Sequence, residues 1–135
     1  MRRNLREAHL HRSQLAGFII DCNTENLEDA ARFWGQALGL EPRTSSNPED
    51  SNYMLFEREP NGLVIEVQKV DHPSRVHIDI ESDDVEAEAD RLEKLGAKRI
   101  QKIRTWWVME APTGQRFCVV RAMRKNFQEE ANVWP

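Results

Sequence analysis

Along the segment Arg75–Glu81, RVHIDIE, an imidazole and two carboxylates alternate with aliphatic side chains. Successive residues of an extended strand point to opposite faces. Val76, Ile78 and Ile80 therefore share one face, and Arg75, His77, Asp79 and Glu81 share the other. The aliphatic set is expected to pack beneath helices, turning His77 and Asp79 toward a cleft. There the two can act as an acid/base pair, His77 can bind a divalent ion, or both can line the cleft through hydrogen bonds to neighbours.

A second strand-like run, Leu63–Gln68, puts Leu63, Ile65 and Val67 on one face and Val64, Glu66 and Gln68 on the other. Glu66 and His77 suit Zn, Mn, Ni or Fe(II), although two protein ligands are too few for a tight site. Cys118 adds a thiol in a third run, Gln115–Arg121. It can ligate a soft metal, or serve as a small buried hydrophobe. Arg116 shares its face and can hold an anionic group bidentately, or pair internally with Asp79 or Glu66. Trp106 and Trp107 are adjacent in a strand, so one enters the core while the other lines the cleft or reaches the surface. A Gly-rich phosphate loop, a Cys-x-x-Cys pair and a nucleophile elbow are all absent from the sequence.

These residues need a scaffold, and the chain writes one twice. The first copy opens with the strand LAGFIIDC and the polar cluster Asn23–Asn26, which offers helix caps. Leu27, Ala30, Ala31, Trp34, Ala37 and Leu38 then trace one helical face, with Trp34 expected in the core, and Gly39 ends the helix. Strands follow at Leu40–Thr44, Tyr53–Phe56 and Leu63–Gln68. The second copy reads RVHIDIE, a cap within Ser82-Asp83-Asp84, a helix lined by Val85, Ala89, Leu92 and Leu95, then Gly96. Its strands are Lys98–Gln101, Thr105–Glu110 and Gln115–Arg121. Leu38-Gly39-Leu40 and Leu95-Gly96-Ala97 are equivalent points 57 residues apart. The order is therefore two tandem βαβββ modules, residues 15–70 and 74–121, an α+β class.

Composition limits the rest. In 135 residues, 19 Lys+Arg stand against 23 Asp+Glu, a mixed charge that gives no reason to expect a nucleic-acid partner. No apolar stretch approaches a membrane span. Cys22 and Cys118 cannot build a disulfide framework, and the arginine-rich start lacks an apolar stretch after it, so a cytoplasmic setting is the expectation. Residues 1–14 read as a flexible basic arm, and residues 122–135 as a C-terminal extension able to pack on a partner subunit.

The helix LEDAARFWGQALGLE, the unit RVHIDIESDDVEAEADRLEKLGAKRI and the hairpin WWVMEAPTGQRFCVV resemble the glyoxalase, bleomycin-resistance and extradiol-dioxygenase group, the vicinal oxygen chelate superfamily, over residues 15–121. Within it, the resemblance is to an uncharacterised bacterial glyoxalase-like branch. It implies a curved mixed sheet around a central cleft, a homodimer, and a divalent ion held by the first and last strands of each module. His77 then matches the second-module histidine and Glu66 the first-module carboxylate. The pattern departs at two positions. Leu15–Ile20 holds no side-chain ligand, Gln14 and Asp21 being the nearest, and Cys118 stands in the last glutamate's place. The expected function is binding of a small organic molecule without the complete metal site. The alternative is a metal-dependent lyase, isomerase or dioxygenase. His77 and Asp79 are the expected catalytic residues, and Glu66, Gln68, Trp106, Trp107, Arg116 and Cys118 the ligand-binding ones.

Overall fold

Apolar periodicity changes from two to about 3.6 residues and back twice along the chain, and strands and helices form in that order. The computed structural model describes residues 10–44 and 50–135, which cluster into two units.

The unit of residues 17–77 contains the C-terminal part of β1 (His11–Asn23), α1 (Leu27–Leu38), β2 (Pro42–Thr44), β3 (Tyr53–Phe56) and β4 (Val64–Val70). Its strand order is β2-β3-β4-β1, with β1 parallel to β4 and the other pairs antiparallel. Asn26 caps α1 by accepting the Asp29 N–H at 3.2 Å, and Glu28 and Asp29 place negative charge at the positive end of the helix dipole. Gly39 ends the helix at φ 71°, where a side chain would be strained. The core joins Ile20, Cys22, Ala31, Met54, Phe56 and Val67, with Trp34 packed against it as expected. Ala37 and Leu38, placed by periodicity on the same stripe, are exposed because the sheet no longer lies beneath the last turn.

The other unit, residues 10–16 and 78–135 of those described, repeats the plan. β5 (Arg75–Ser82) leads to α2 (Val85–Lys94), β6 (Lys98–Ile103), β7 (Trp106–Glu110) and β8 (Arg116–Arg121). The order is β5-β8-β7-β6, again with one parallel pair, β5 with β8, and antiparallel neighbours outside it. Asp84 rather than Ser82 or Asp83 is the cap, accepting the Ala87 N–H at 3.0 Å. Ala89, Leu92, Met109 and Val119 form this unit's core. The two βαβββ modules of the α+β class are thus present.

Three expectations need correction. Residues 11–14 are not part of an arm: His11 and Ser13 are buried in β1, while residues 1–9 lie outside the described residues. The C-terminal stretch has partners within its own chain. It forms α3 (Phe127–Glu130), whose Phe127 is buried, and β9 (Asn132–Trp134), which pairs antiparallel with His11–Ser13 of the same chain. On β5 the aliphatic face is only partly covered. Ile80 packs on the core, whereas Val76 and Ile78 are 60% and 44% exposed, because no described helix of this chain covers the beginning of the strand. No described helix is long and apolar enough to cross a membrane.

Candidate functional site

The polar face of β5 is the better buried one. Asp79 and Glu81 are 6% and 0% exposed, and the His77 side chain 11%. A buried polar group must find partners, and those partners define what each residue can do.

His77 is held by Asp21, which immediately precedes Cys22 on β1. Asp21 Oδ2 lies 2.8 Å from His77 Nδ1 and 3.5 Å from Arg75 Nε, and the carboxylate is 2% exposed. Burial, and after it the same carboxylate, pushes the Cys22 thiol up. One strand over, Gln68 is the register partner of Asp21 and donates to the Tyr53 hydroxyl at 2.9 Å. Glu66, two residues earlier and on the same face, is half-buried and is the register partner of Ile19. The first unit thus carries Asp21, His77, Arg75, Glu66, Gln68 and Tyr53 as polar residues of this region. Sequence reasoning assigns Asp21 no role beyond its nearness to Leu15–Ile20. The signal for one is a carboxylate closing an apolar strand, which is buried only with a cationic or donor partner.

The register explains the ligand missing from β1. Glu66 and Cys118 each follow a turn glycine by four residues, Gly62 and Gly114. Glu66 pairs with Ile19 and Cys118 with Asp79, so Ile19 is the counterpart of Asp79 and Gly17 the counterpart of His77. At Gly17 a Cβ would lie 1.7 Å from the Val64 carbonyl oxygen. No side chain, ligand or otherwise, fits there without moving backbone. Gln14 is also committed, donating to Glu81 Oε2 at 2.7 Å, while Glu81 Oε1 accepts the N–H groups of Met123 and Arg124.

On β8, Cys118 is half-buried beside Asp79. Nitrogen, oxygen and sulfur donors of His77, Asp79 and Cys118 all lie within 4.8 Å of one another. An imidazole, a carboxylate and a thiol are donors that suit a borderline-soft ion. The family's ligand set does not fit, because its first-strand position is Gly17.

The remaining expected residues separate. Trp107 is not a cleft residue: it packs on the second core and its Nε1 donates to Glu86 of α2 at 2.8 Å, with the Arg99 guanidinium 4.8 Å from its ring. Hydrogen bonds from Lys102, then from Trp107, hold the Glu86 carboxyl down at about 2. Trp106, on the opposite face, is half-buried with the Arg104 guanidinium 5.2 Å from its ring. Arg116 pairs with Glu110, its register partner on β7, at 3.3 Å, rather than with Asp79 or Glu66. A separate cavity of about 340 Å³ beside the start of α1 is lined by Glu25, Asn26, Leu27, Thr44, Asp50 and Tyr53 among others, and holds none of the expected site residues.

Comparison with known proteins agrees with this architecture. A family described as glyoxalase-like domain matches residues 17–120. Among solved structures, a methylmalonyl-CoA epimerase superposes with a TM-score of 0.55 at 11% identity, covering 80% of this chain and 94% of that one. A single-residue variant of the Streptomyces coelicolor methylmalonyl-CoA epimerase, in complex with 2-nitronate-propionyl-CoA, gives 0.52 at 14% identity, with 82% and 96% covered. A hypothetical protein from Bacillus halodurans gives 0.53 at 16% identity, with 84% and 99% covered. No curated protein sequence matches the chain. At these identities the structural likeness carries the mixed α+β fold alone, whereas the sequence match spans both modules. The chain belongs to the glyoxalase-like domain family, within the vicinal oxygen chelate superfamily.

Proposed function

We propose that this protein binds a small organic molecule through the polar face of β5 and its neighbouring strands, without the metal site usual in its family. The observation that carries the reading is the closed position at Gly17, where a first-strand ligand has no room. His77, Asp79, Glu66 and Gln68 are the residues assigned to hydrogen bonding with the ligand, and Trp106 is the aromatic surface assigned to stack on it. Trp107 and Arg116 are left out because Glu86 and Glu110 engage them. The test is ligand-observed NMR against a panel of aromatic, polyol and amine compounds. A CoA derivative belongs in the panel because one structural relative is in complex with 2-nitronate-propionyl-CoA. Hits should weaken at least tenfold in His77→Ala and Gln68→Ala. Hits indifferent to both substitutions would place binding elsewhere and end this reading.

A second reading is supported by the His77, Asp79 and Cys118 group. Here a divalent ion would supply Lewis-acid stabilisation of negative charge on a bound substrate, as in lyases, isomerases or dioxygenases of this superfamily. The zinc content of purified protein and its loss in Cys118→Ser discriminate the two. Stoichiometric metal with micromolar or tighter affinity favours the second reading. A homodimer, expected from the family, is checked by light scattering.

A further inference from the structure

We infer that Asp21 is the positioning residue for His77, holding the ring hydrogen on Nδ1 so that in the neutral form of the imidazole the lone pair falls on Nε2. This deepens the proposal above and depends on it only for what Nε2 then meets.

Asp21 Oδ2 lies 2.8 Å from His77 Nδ1 and also 3.5 Å from Arg75 Nε. Arginine nitrogen is only a donor. A carboxylate oxygen is only an acceptor, so the hydrogen between Oδ2 and Nδ1 belongs to the nitrogen. Burial strengthens the assignment. With Asp21 at 2% and His77 at 11% exposure, water competes little for either group, and exchanging the tautomer would set an imidazole lone pair against a carboxylate. Asp79, paired with His77 as acid and base in the sequence reading, lies two residues along the same strand, and the residue facing Nδ1 is Asp21.

A consequence for ligand class follows. A neutral imidazole presenting Nε2 as an acceptor receives an O–H or N–H donor, or a metal cation. It offers nothing to a carboxylate or phosphate oxygen. With the ring neutral, a group seated on Nε2 would be a hydroxyl, an amine-type N–H or a divalent ion.

Long-range ¹⁵N–¹H correlation of the imidazoles at about pH 8.5, two units above the ordinary histidine value, tests this. The full chain has four histidines, and His77→Gln assigns the relevant signals. In the wild type, Nδ1 should appear as a protonated nitrogen and Nε2 as a bare one. In Asp21→Leu the pattern should shift toward the Nε2–H form. An Nε2–H or mixed pattern in the wild type, or an unchanged pattern in the variant, overturns the inference. Should the variant fail to fold, the wild-type spectrum decides alone. No ligand is needed, so the failure of the ligand-binding proposal and the failure of this one are separate results.

Discussion

Replacing Gly17 by alanine tests the geometry on which the functional reading stands. The added methyl carbon would meet the Val64 carbonyl oxygen at 1.7 Å, where real contacts keep at least 3.0 Å. Strands β1 and β4 must then part by about 1.3 Å at this point. Gly17 and Val64 form the first of the seven register pairs between them, so the end of the ladder peels rather than the whole. Peeling loses about two backbone hydrogen bonds, about 1 kcal/mol each. It also uncovers part of Val64 and Ala16, which are 2% and 0% exposed, at a cost of about 1–2 kcal/mol. Together these predict a loss of about 3–4 kcal/mol, or roughly 10–15 °C in Tm for a chain of this size. Gly17→His, which restores the family's ligand type, should be at least as destabilised and should bind zinc no more tightly than the wild type. Urea unfolding and a zinc titration of both variants measure these outcomes. An alanine variant within about 1 kcal/mol of the wild type, or a histidine variant with tenfold tighter zinc binding, would refute the reasoning.

Glu88→Gln should cost about 2 kcal/mol at pH 7, the scale of hydrogen bonds to a charged group. Glu88 is fully buried, accepts two bonds from Arg91 at 2.8 and 2.7 Å, and lies 2.8 Å from His11 Nε2. Burial alone would raise its carboxyl, but bonds from Arg91, His11 and Ser13 outweigh that and hold it below the ordinary carboxylate value. A depressed folded-state value means the stabilisation is complete above the ordinary carboxylate range and fades as pH falls through the lowered value. The gap between variant and wild type in urea unfolding should therefore narrow on acidification, and a constant gap would contradict the assignment. Removing residues 122–135 should destabilise the chain by several kcal/mol, since it takes the buried Phe127 out of its packing and strips Glu81 of two backbone donors. An unchanged thermal midpoint would show that the tail is dispensable.

The duplicated βαβββ order is legible because apolar spacing, helix caps and turn glycines occur twice in one sequence of signals. The facing of Glu66, Gln68, His77 and Asp79 follows from alternation, which the backbone obeys wherever a strand is regular. Alternation says nothing about which polar residue takes which partner. Asp21 belongs to His77 only through a fold that brings positions 56 residues apart together. For the same reason Trp106 and Trp107 cannot be told apart in sequence: that Trp107 turns to Glu86 depends on where α2 crosses the sheet. The ends mislead because His11, Ser13 and Trp134 look polar or isolated in sequence. Their partners are each other and α2: Trp134 Nε1 donates to Ser13 Oγ at 2.8 Å, and the Arg91 guanidinium lies 3.9 Å from the Trp134 ring.

Duplication also bears on why the candidate metal ligands gather on β5 and β8. In a fold built twice, each ligand position has a counterpart, and the pairs here have diverged in opposite ways. The counterpart of His77 is Gly17, sealed by backbone, and the counterpart of Cys118 is Glu66. The first module keeps a carboxylate but has no imidazole to accompany it from β1. The second keeps the imidazole and exchanges the carboxylate for a thiol. Asp21 alters the balance again, because the first module still supplies a buried acid, placed two residues beyond Ile19 and directed at His77. Its part is to orient a base. A site arranged this way retains the imidazole orientation that a metal or a proton-donating ligand would need, while the ion-binding set itself is reduced and changed in hardness. Under the two proposed readings, the choice between these uses would rest with Cys118. As a thiolate it would draw thiophilic ions, and as a thiol it would leave the face to an organic ligand, so the metal content of Cys118→Ser separates the two proposed readings more directly than any change at His77, which both readings invoke.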